Sequence, residues 1–430
     1  MKAAGSAAAA APEDEGERRR MLHLVMGHQL STLSMSLLTM QPRAQLLLKA
    51  FGGDSAAVAA QISRGAALVA LSDLLLSPSV GALSDRVGRK PLMLLAPAVA
   101  LPLKLAAAFR PGVVVLLLER VISDAFRTLG GTTMAYACLC DLFQGEAYTT
   151  ALGRLNAATG LGIVVAPLAA TAVMGRTGSP RRAYLASSLL ALIHLLLGMM
   201  FLRETKPCKA GGVGRGSDSD TAQVSDKPVL RPVWQFLRLF TSGARLRWRA
   251  GLFGLHCLLE GKVVQDQVSV LQLSRGWDTE MRSRWTSGLG LAILAGGQAT
   301  GVMIRRLGEH CFTMSCHLAS LLAFLALRGS AFWASLLLLC AGQQRRSAST
   351  AWVLAEAARV GVGHGEAVGW IASLRSAVDA ASALLYGAAY RAAAARGQPA
   401  NVFAVPAVAV VLAEALRALL ACGALGAGGE

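Results

Sequence analysis

Twelve predominantly apolar blocks, most close to twenty residues long, recur through this chain of 430 residues, and that recurrence restricts its fold more than any other feature. A helix needs about 20 residues to cross about 30 Å of hydrocarbon, and inside a bilayer each segment must satisfy its own backbone hydrogen bonds. The blocks therefore predict transmembrane helices over 21–40, 57–80, 91–109, 112–138, 150–174 and 183–203, then 249–272, 285–304, 312–327, 331–354, 366–388 and 402–423. With 54% apolar and only 16% charged residues, the chain has too few charges to coat a soluble enzyme of this size. The clustering of its apolar residues also excludes low-complexity disorder over most of the length.

The segments outside the blocks divide the chain. Residues 1–20 are Ala-rich, then acidic from Glu13 to Glu17, then Arg18, Arg19 and Arg20, an order unlike a signal peptide that reads as a disordered cytoplasmic tail. An N-terminal six-helix bundle is expected over 21–203 and a C-terminal one over 249–424. Between them, 204–248 is a linker, Gly-rich and polar over 211–220, that ends in a basic amphipathic segment with Trp234, Phe236, Leu237, Phe240 and Trp248 among Arg238, Arg245 and Arg247. Val87-Gly88 after the second block and Leu307-Gly308 after the eighth stand in corresponding places beside paired bases, as expected of two parallel repeats. The Lys/Arg excess in and around the linker favours cytoplasmic termini and a cytoplasmic linker.

The 42 Lys and Arg against 25 Asp and Glu give a formal charge of +17, which in a soluble domain would suggest nucleic acid. Here the bases stand at block ends, where they meet anionic headgroups, and no basic patch is interleaved with aromatics, so no nucleic-acid partner is expected. The eight cysteines include no CxxC pair, and Cys311, Cys316 and His317 sit in an apolar setting unsuited to metal. No GxSxG or HExxH is present, so neither an enzyme nor a cofactor is indicated. Gly130-Gly131 and Gly296-Gly297 read as helix contacts rather than phosphate cradles.

The second block ends Ser77-Pro78-Ser79-Val80-Gly81-Ala82-Leu83-Ser84-Asp85-Arg86-Val87-Gly88-Arg89-Lys90-Pro91. Gly81 and Gly88 let two helices approach and turn, and Asp85 can lie against the positive end of a neighbouring helix. The stretch resembles the signature loop between the second and third helices of the major facilitator superfamily. The resemblance implies that Asp85 faces the eleventh helix and holds a cytoplasmic gate, with Arg86 beside it, and that Arg89 pairs with an acid ending the fourth span, for which Asp141 is the candidate. Leu118-Glu119-Arg120-Val121 resembles the family's fourth-helix pattern. Gly162 to Ala170, with Pro167, is similar to its fifth-helix antiporter motif, with Ala in place of three glycines. Phe201-Leu202-Arg203-Glu204-Thr205 and Gly365-Glu366-Ala367-Val368-Gly369 resemble the tetracycline-resistance-like branch. The second-half repeat from Gly301 to Gly308 keeps Arg305 and Arg306 but lacks the acid.

An ionisable group at the bilayer centre costs about 3 kcal/mol and should face water or a partner. Arg120, Asp124 and Arg127 fall on one helical stripe with Gly131, and Lys262, Asp266 and Ser269 repeat the spacing. Gln343, Gln344, Arg345 and Arg346 stand mid-block, and His28, Ser31, Thr32 and Met35 share a side of the first span. One reading is a basic cavity of Arg120, Arg127, Arg345 and Arg346 that attracts an anionic or carboxylate-bearing solute. The other is internal neutralisation, Arg120 by Asp124 and Lys262 by Asp266 at i,i+4. Asp73, Glu119, Asp124 and Asp379 are candidate proton carriers, although Arg375 one turn before Asp379 reads as its structural partner. His28 could titrate too, but a lone His beside Ser and Thr reads first as a hydrogen-bonding residue.

The expected fold is all-α: a polytopic membrane protein of twelve transmembrane helices in two six-helix bundles, the major facilitator fold. The expected function is secondary transport of a small organic solute by alternating access, with protons as the coupling ion and export as the mode the resemblance implies. A monomer in a plasma or organelle membrane is expected. The alternative is a non-transporting receptor or scaffold with the same fold.

Overall fold

The computed structural model describes residues 12–143, 145–175, 178–205, 233–259, 262–329, 331–342, 344–362 and 364–422. Twelve membrane crossings follow one another along it. The first six are α1 (Pro12–Ala50), α2 (Ser55–Val87), α3 (Arg89–Phe109), α4 (Val113–Gly130) continued by α5 (Thr132–Leu142), α6 (Gly145–Met174) and α7 (Pro180–Phe201). A 3₁₀ turn at Val233–Leu237 and the short α8 (Arg238–Thr241) lead into the second six. These are α9 (Ala244–Leu258) continued by α10 (Lys262–Ser274), the two arms of α11 (Thr279–Arg328), α12 (Ala334–Gly342) continued by α13 (Arg345–Arg359), α14 (His364–Ala395), and α15 (Ala404–Ala421) behind a 3₁₀ turn at Pro399–Phe403. The 50 residues of α11 make two crossings because Gly308, at φ 75° and ψ 160°, breaks the helix.

Several boundaries differ from the sequence expectation. Residues 12–20, expected as disordered tail, form the first turns of α1. Pro12 stands at the first helical position, where a missing N–H costs nothing, and Glu17 pairs with Arg203. The first span was expected to end at 40, before Gln41-Pro42-Arg43, yet α1 runs through Pro42 to Ala50. The eighth was expected to begin at 285, yet α11 starts at Thr279, where the Asp278 carboxylate accepts from the Met281 N–H at 2.7 Å.

The outer faces explain the solvent. On α7, Leu185, Leu189, Leu192, Ile193, Leu196, Leu197 and Met200 are exposed, while Tyr184, Ser187, Ser188, Ala191 and His194 are buried. That polarity is inverted relative to a soluble helix and fits hydrocarbon outside and polar packing within. Polar ties cross each bundle. His28 Nδ1 shares a hydrogen bond of 2.9 Å with His194 Nε2, and in the second bundle His256 and His317 share one of 2.8 Å. Ser349 binds the free side of His256 at 2.9 Å, and Glu414 that of His317 at 2.7 Å. The glycine pairs act as the sequence suggested in one member each. A Cβ on Gly130 would lie 2.1 Å from the Leu92 carbonyl oxygen, and one on Gly296 would lie 2.0 Å from that of Cys340, so backbones touch at both points.

The bundles meet along α2 with α14 and α6 with α11. Gly387 lies against Ser63, and Gly290 against Ile163 and Val164. At the end of the seam opposite the linker the contacts are neutral hydrogen bonds. Ser283 donates to Gln41 at 2.9 Å, Gln41 to Thr286 at 3.2 Å, Thr171 to Ser283 at 2.5 Å, and Gln45 to Thr279.

Candidate functional site

Three of the twelve crossings, the fourth, seventh and tenth, are each made of two helices, and these carry the mid-depth charges singled out from the sequence. Broken helices place unpaired backbone groups at mid-depth, which binding sites in transporters use. The bundles are tied at this level by Arg120 of α4, whose Nη2 lies 2.5 Å from Asp266 Oδ2 of α10 and whose Nη1 donates to the Ile62 carbonyl at 3.1 Å. Both side chains are buried, at 3% and 6% exposure.

Of the two readings of α4, internal neutralisation of Arg120 by Asp124 gives way to a partner in the other bundle, Asp266. Asp124 instead binds Arg127 Nε at 3.1 Å and accepts from Ser36 at 3.2 Å. The side chains of Lys262 and Asp85, and the whole of Gln343, lie outside the described residues.

Glu119 was a candidate proton carrier, and the structure assigns it a different neighbourhood. Its carboxylate is held between Arg43 Nη2 at 2.8 Å and Lys104 Nζ at 2.9 Å, and Lys104 also donates to the Met35 carbonyl at 3.0 Å. Two cations on one buried carboxylate tie α1, α3 and α4 together, so Glu119 acts as a strut of the first bundle. Arg43 escaped the sequence reading because Pro42 looked like a helix end. Lys104 stands alone in the third block, and its lack of an acid within that block was the signal that should have found it. Glu119, Arg120, Asp124 and Arg127 do share one void with Lys104, of about 20 Å³, room for one water.

Arg345 was read as part of a basic cavity, and its side chain caps two helix ends. Nη2 donates to the Leu259 carbonyl at 3.2 Å where α9 ends, and Nη1 to the Gly342 carbonyl where α12 ends, with Ser320 beside it. Helix breaks leave carbonyls without N–H partners, and a buried arginine satisfies them from two helices at once. Arg346, half-buried, takes a different course. It lies within electrostatic reach of Tyr136 on α5 and of Asp379 on α14, where Arg375 is 3.6 Å from Asp379 and Asp73 acts across from α2. Asp73 also accepts from Thr128 at 2.5 Å. This cluster draws on both bundles on the linker side of the Arg120–Asp266 pair.

His28 does not join the seam. Its ring lies inside the first bundle, with Nε2 2.8 Å from the Gly130 carbonyl and Nδ1 on His194, so it is a satisfied packing residue. Gly162 packs on Leu30 and Leu33 of α1, and Gly160, two residues earlier, is the one that meets the other bundle at Leu294. Pro167 is buried within α6, and its carbonyl accepts from Thr171 at 3.2 Å.

The sequence profile of the Major Facilitator Superfamily matches residues 25–405, nearly the whole of both bundles. The chain belongs to the major facilitator superfamily. It is a multi-pass integral membrane protein. Among its relatives, the class C tetracycline resistance protein of Escherichia coli is 28% identical over 254 residues, 56% of this chain and 57% of that protein. The class G protein of Vibrio anguillarum is 29% identical over 288 residues, 64% of this chain and 67% of that one. The chain thus spans little more than half the length of the first of these. Among solved structures, the human organic anion transporter MFSD10 (TETRAN) superposes with a TM-score of 0.61 at 20% identity, covering 93% of this chain and 99% of that one. The nucleoside transporter NupG gives 0.68 at 14%, covering 94% and 98%. Both show the shared fold.

The superfamily's signature loop is built as its residues imply at Arg89, whose Nε lies 3.1 Å from Asp141 Oδ2. Gly81 continues α2, and Arg86 lies exposed in its last turn. A second acid, Glu204, closes the loop. Its carboxylate accepts from the N–H groups of Arg89 at 2.8 Å and Lys90 at 3.0 Å, placing negative charge on the positive end of α3. Gly88 makes this possible with φ +97°, and a Cβ there would stand 2.5 Å from Glu204 Oε2. Gly88→Ala should cost about 1–3 kcal/mol from backbone strain and displace Glu204. The expected result is a melting temperature lowered by several degrees in purified protein. A variant as stable as wild type would show that the loop relaxes freely.

Proposed function

We propose that this superfamily member is a secondary transporter that exports a small organic solute in exchange for protons by alternating access. The observation that carries the proposal is the buried Arg120–Asp266 pair, a charge-assisted contact between two bundles that must part for the far side to open. Breaking this contact frees the bundles to rock about the midplane, and the pair is a polar tie between them at this depth through which conformation and charge are linked. The far-side latch is made of neutral hydrogen bonds worth about 1 kcal/mol each, so it can release once the central pair does. The relatives named as tetracycline resistance proteins support export as the direction, and proton exchange as its driving force follows from the branch the sequence resembles.

The test is flux in proteoliposomes carrying purified protein, with labelled organic solutes supplied with and without an imposed pH gradient. Gradient-dependent accumulation, abolished by a protonophore, is expected for at least one solute. Folded, correctly inserted protein that moves none of a broad panel of carboxylates, amines and neutral solutes under any gradient would favour the receptor or scaffold reading.

A further inference from the structure

Every buried cation described so far has a recorded partner suited to its charge: Arg43 and Lys104 share Glu119, Arg120 holds Asp266, Arg89 holds Asp141, and Arg345 caps two helix ends. Arg282 does not. It lies in the first turns of α11, fully buried at 0% exposure, and its single recorded side-chain contact is Nη2 to Ser269 Oγ at 2.9 Å. Among the described residues Nε and Nη1 have no acceptor and no carboxylate pairs with the side chain. The helix N-terminus adds to the mismatch, because that end of a helix favours anions over cations.

Residues one turn along each of the two helices share the deficiency. Trp285, one turn along α11, buries an indole N–H without an acceptor, and so does the amide nitrogen of Gln272, one turn along α10 from Ser269. Indole and guanidinium nitrogens only donate. A set of buried donors lacking acceptors is the complement of an anion, and the planar fork of arginine matches a carboxylate best.

Position supplies the route. Ser269 stands one turn, about 4.5 Å along the axis, beyond Asp266 on α10, so it continues the face that Arg120 reaches from the other bundle. Ser283, next to Arg282, is part of the far-side latch on Gln41 and Thr171. Arg282 thus stands beside the far-side latch in sequence, one residue from its Ser283.

We infer that Arg282 is an anion-binding residue of the transport path, taking the carboxylate of an organic acid at the far-side end of the seam. The inference gives a substrate class to the transporter reading and rests on it for its physiological meaning, but binding can be tested apart from flux.

The test uses the full chain in nanodiscs, with benzoate and succinate as probes and sodium chloride at equal ionic strength as reference. Saturable thermal stabilisation by a carboxylate is expected in wild type. Arg282→Lys keeps the charge and loses the fork, and its apparent affinity should fall roughly tenfold or more. Arg282→Gln should not respond, and because it removes a buried charge without a counter-ion, its melting temperature without ligand should equal or exceed that of wild type. Three outcomes would overturn the inference: a carboxylate response unchanged in Arg282→Gln, a response to chloride alone, or a ligand-free Arg282→Gln that melts well below wild type and so reveals a satisfied structural arginine. Carboxylate binding that depends on Arg282 in a protein carrying no flux would leave the site standing and sink the transporter reading instead.

Discussion

Asp266→Asn should stop flux driven by a pH gradient while leaving both bundles folded. The substitution leaves Arg120, at 3% exposure, against a neutral amide, and an uncompensated buried charge costs about 3–5 kcal/mol. Because the pair joins α4 of one bundle to α10 of the other, the cost falls on the conformation that brings the bundles together here, not on either bundle's own packing. A penalty of about 3 kcal/mol shifts a two-state equilibrium more than a hundredfold, so the variant should accumulate in the state where the seam is parted. Reactivity of cysteines introduced at Gln41 and Thr286, across the far-side latch, would report that shift. The doubly neutral Arg120→Gln, Asp266→Asn protein should recover much of the closed population and remain inactive in gradient-driven transport. Full proton-coupled flux in Asp266→Asn would mean that coupling runs elsewhere, with the Asp73, Arg346, Arg375 and Asp379 cluster the next place to look.

Glu119→Gln should fail in a different way. Glu119 sits between Arg43 at 2.8 Å and Lys104 at 2.9 Å, all three within the first bundle and all buried. Removing the carboxylate leaves two like charges facing each other in a low dielectric, a loss on the order of 3–5 kcal/mol or more, comparable to the whole stability of many domains. The expected result is little or no monodisperse protein after detergent extraction. Adding Lys104→Met, which removes one of the stranded charges, should restore part of the yield and raise the melting temperature of the double variant above that of Glu119→Gln. A well-folded single variant with altered proton coupling would return Glu119 to the role of proton carrier.

These two acids, one beside Arg120 in the sequence and one 146 residues from it, show where reading the sequence stops working. Helical spacing correctly placed Arg120, Asp124 and Arg127 on α4, yet the only partner it could offer Arg120 was Asp124, because only neighbours along one helix are visible in a sequence. Arg43 and Arg282 were missed for a second reason. Both lie near helix ends that the sequence blurs, one behind Pro42 and one four residues past the Asp278 cap, so they were assigned to loops. The signature loop was more legible, since its spacing already paired Arg89 with Asp141, although its second acid, Glu204, comes from the far end of the bundle.

What the amino-acid order settled alone was the solvent, the number of crossings and the paired architecture. Bilayer thickness fixes the length of each apolar block, and the loop motif ties the chain to its superfamily. The tertiary fold decided which charges are struts, which are caps and which join the bundles. An ion pair depends on what stands opposite in space, and Asp266 opposite Arg120, two cations around Glu119 and, among the described residues, no acid paired with Arg282 are consequences of how helices distant in sequence pack.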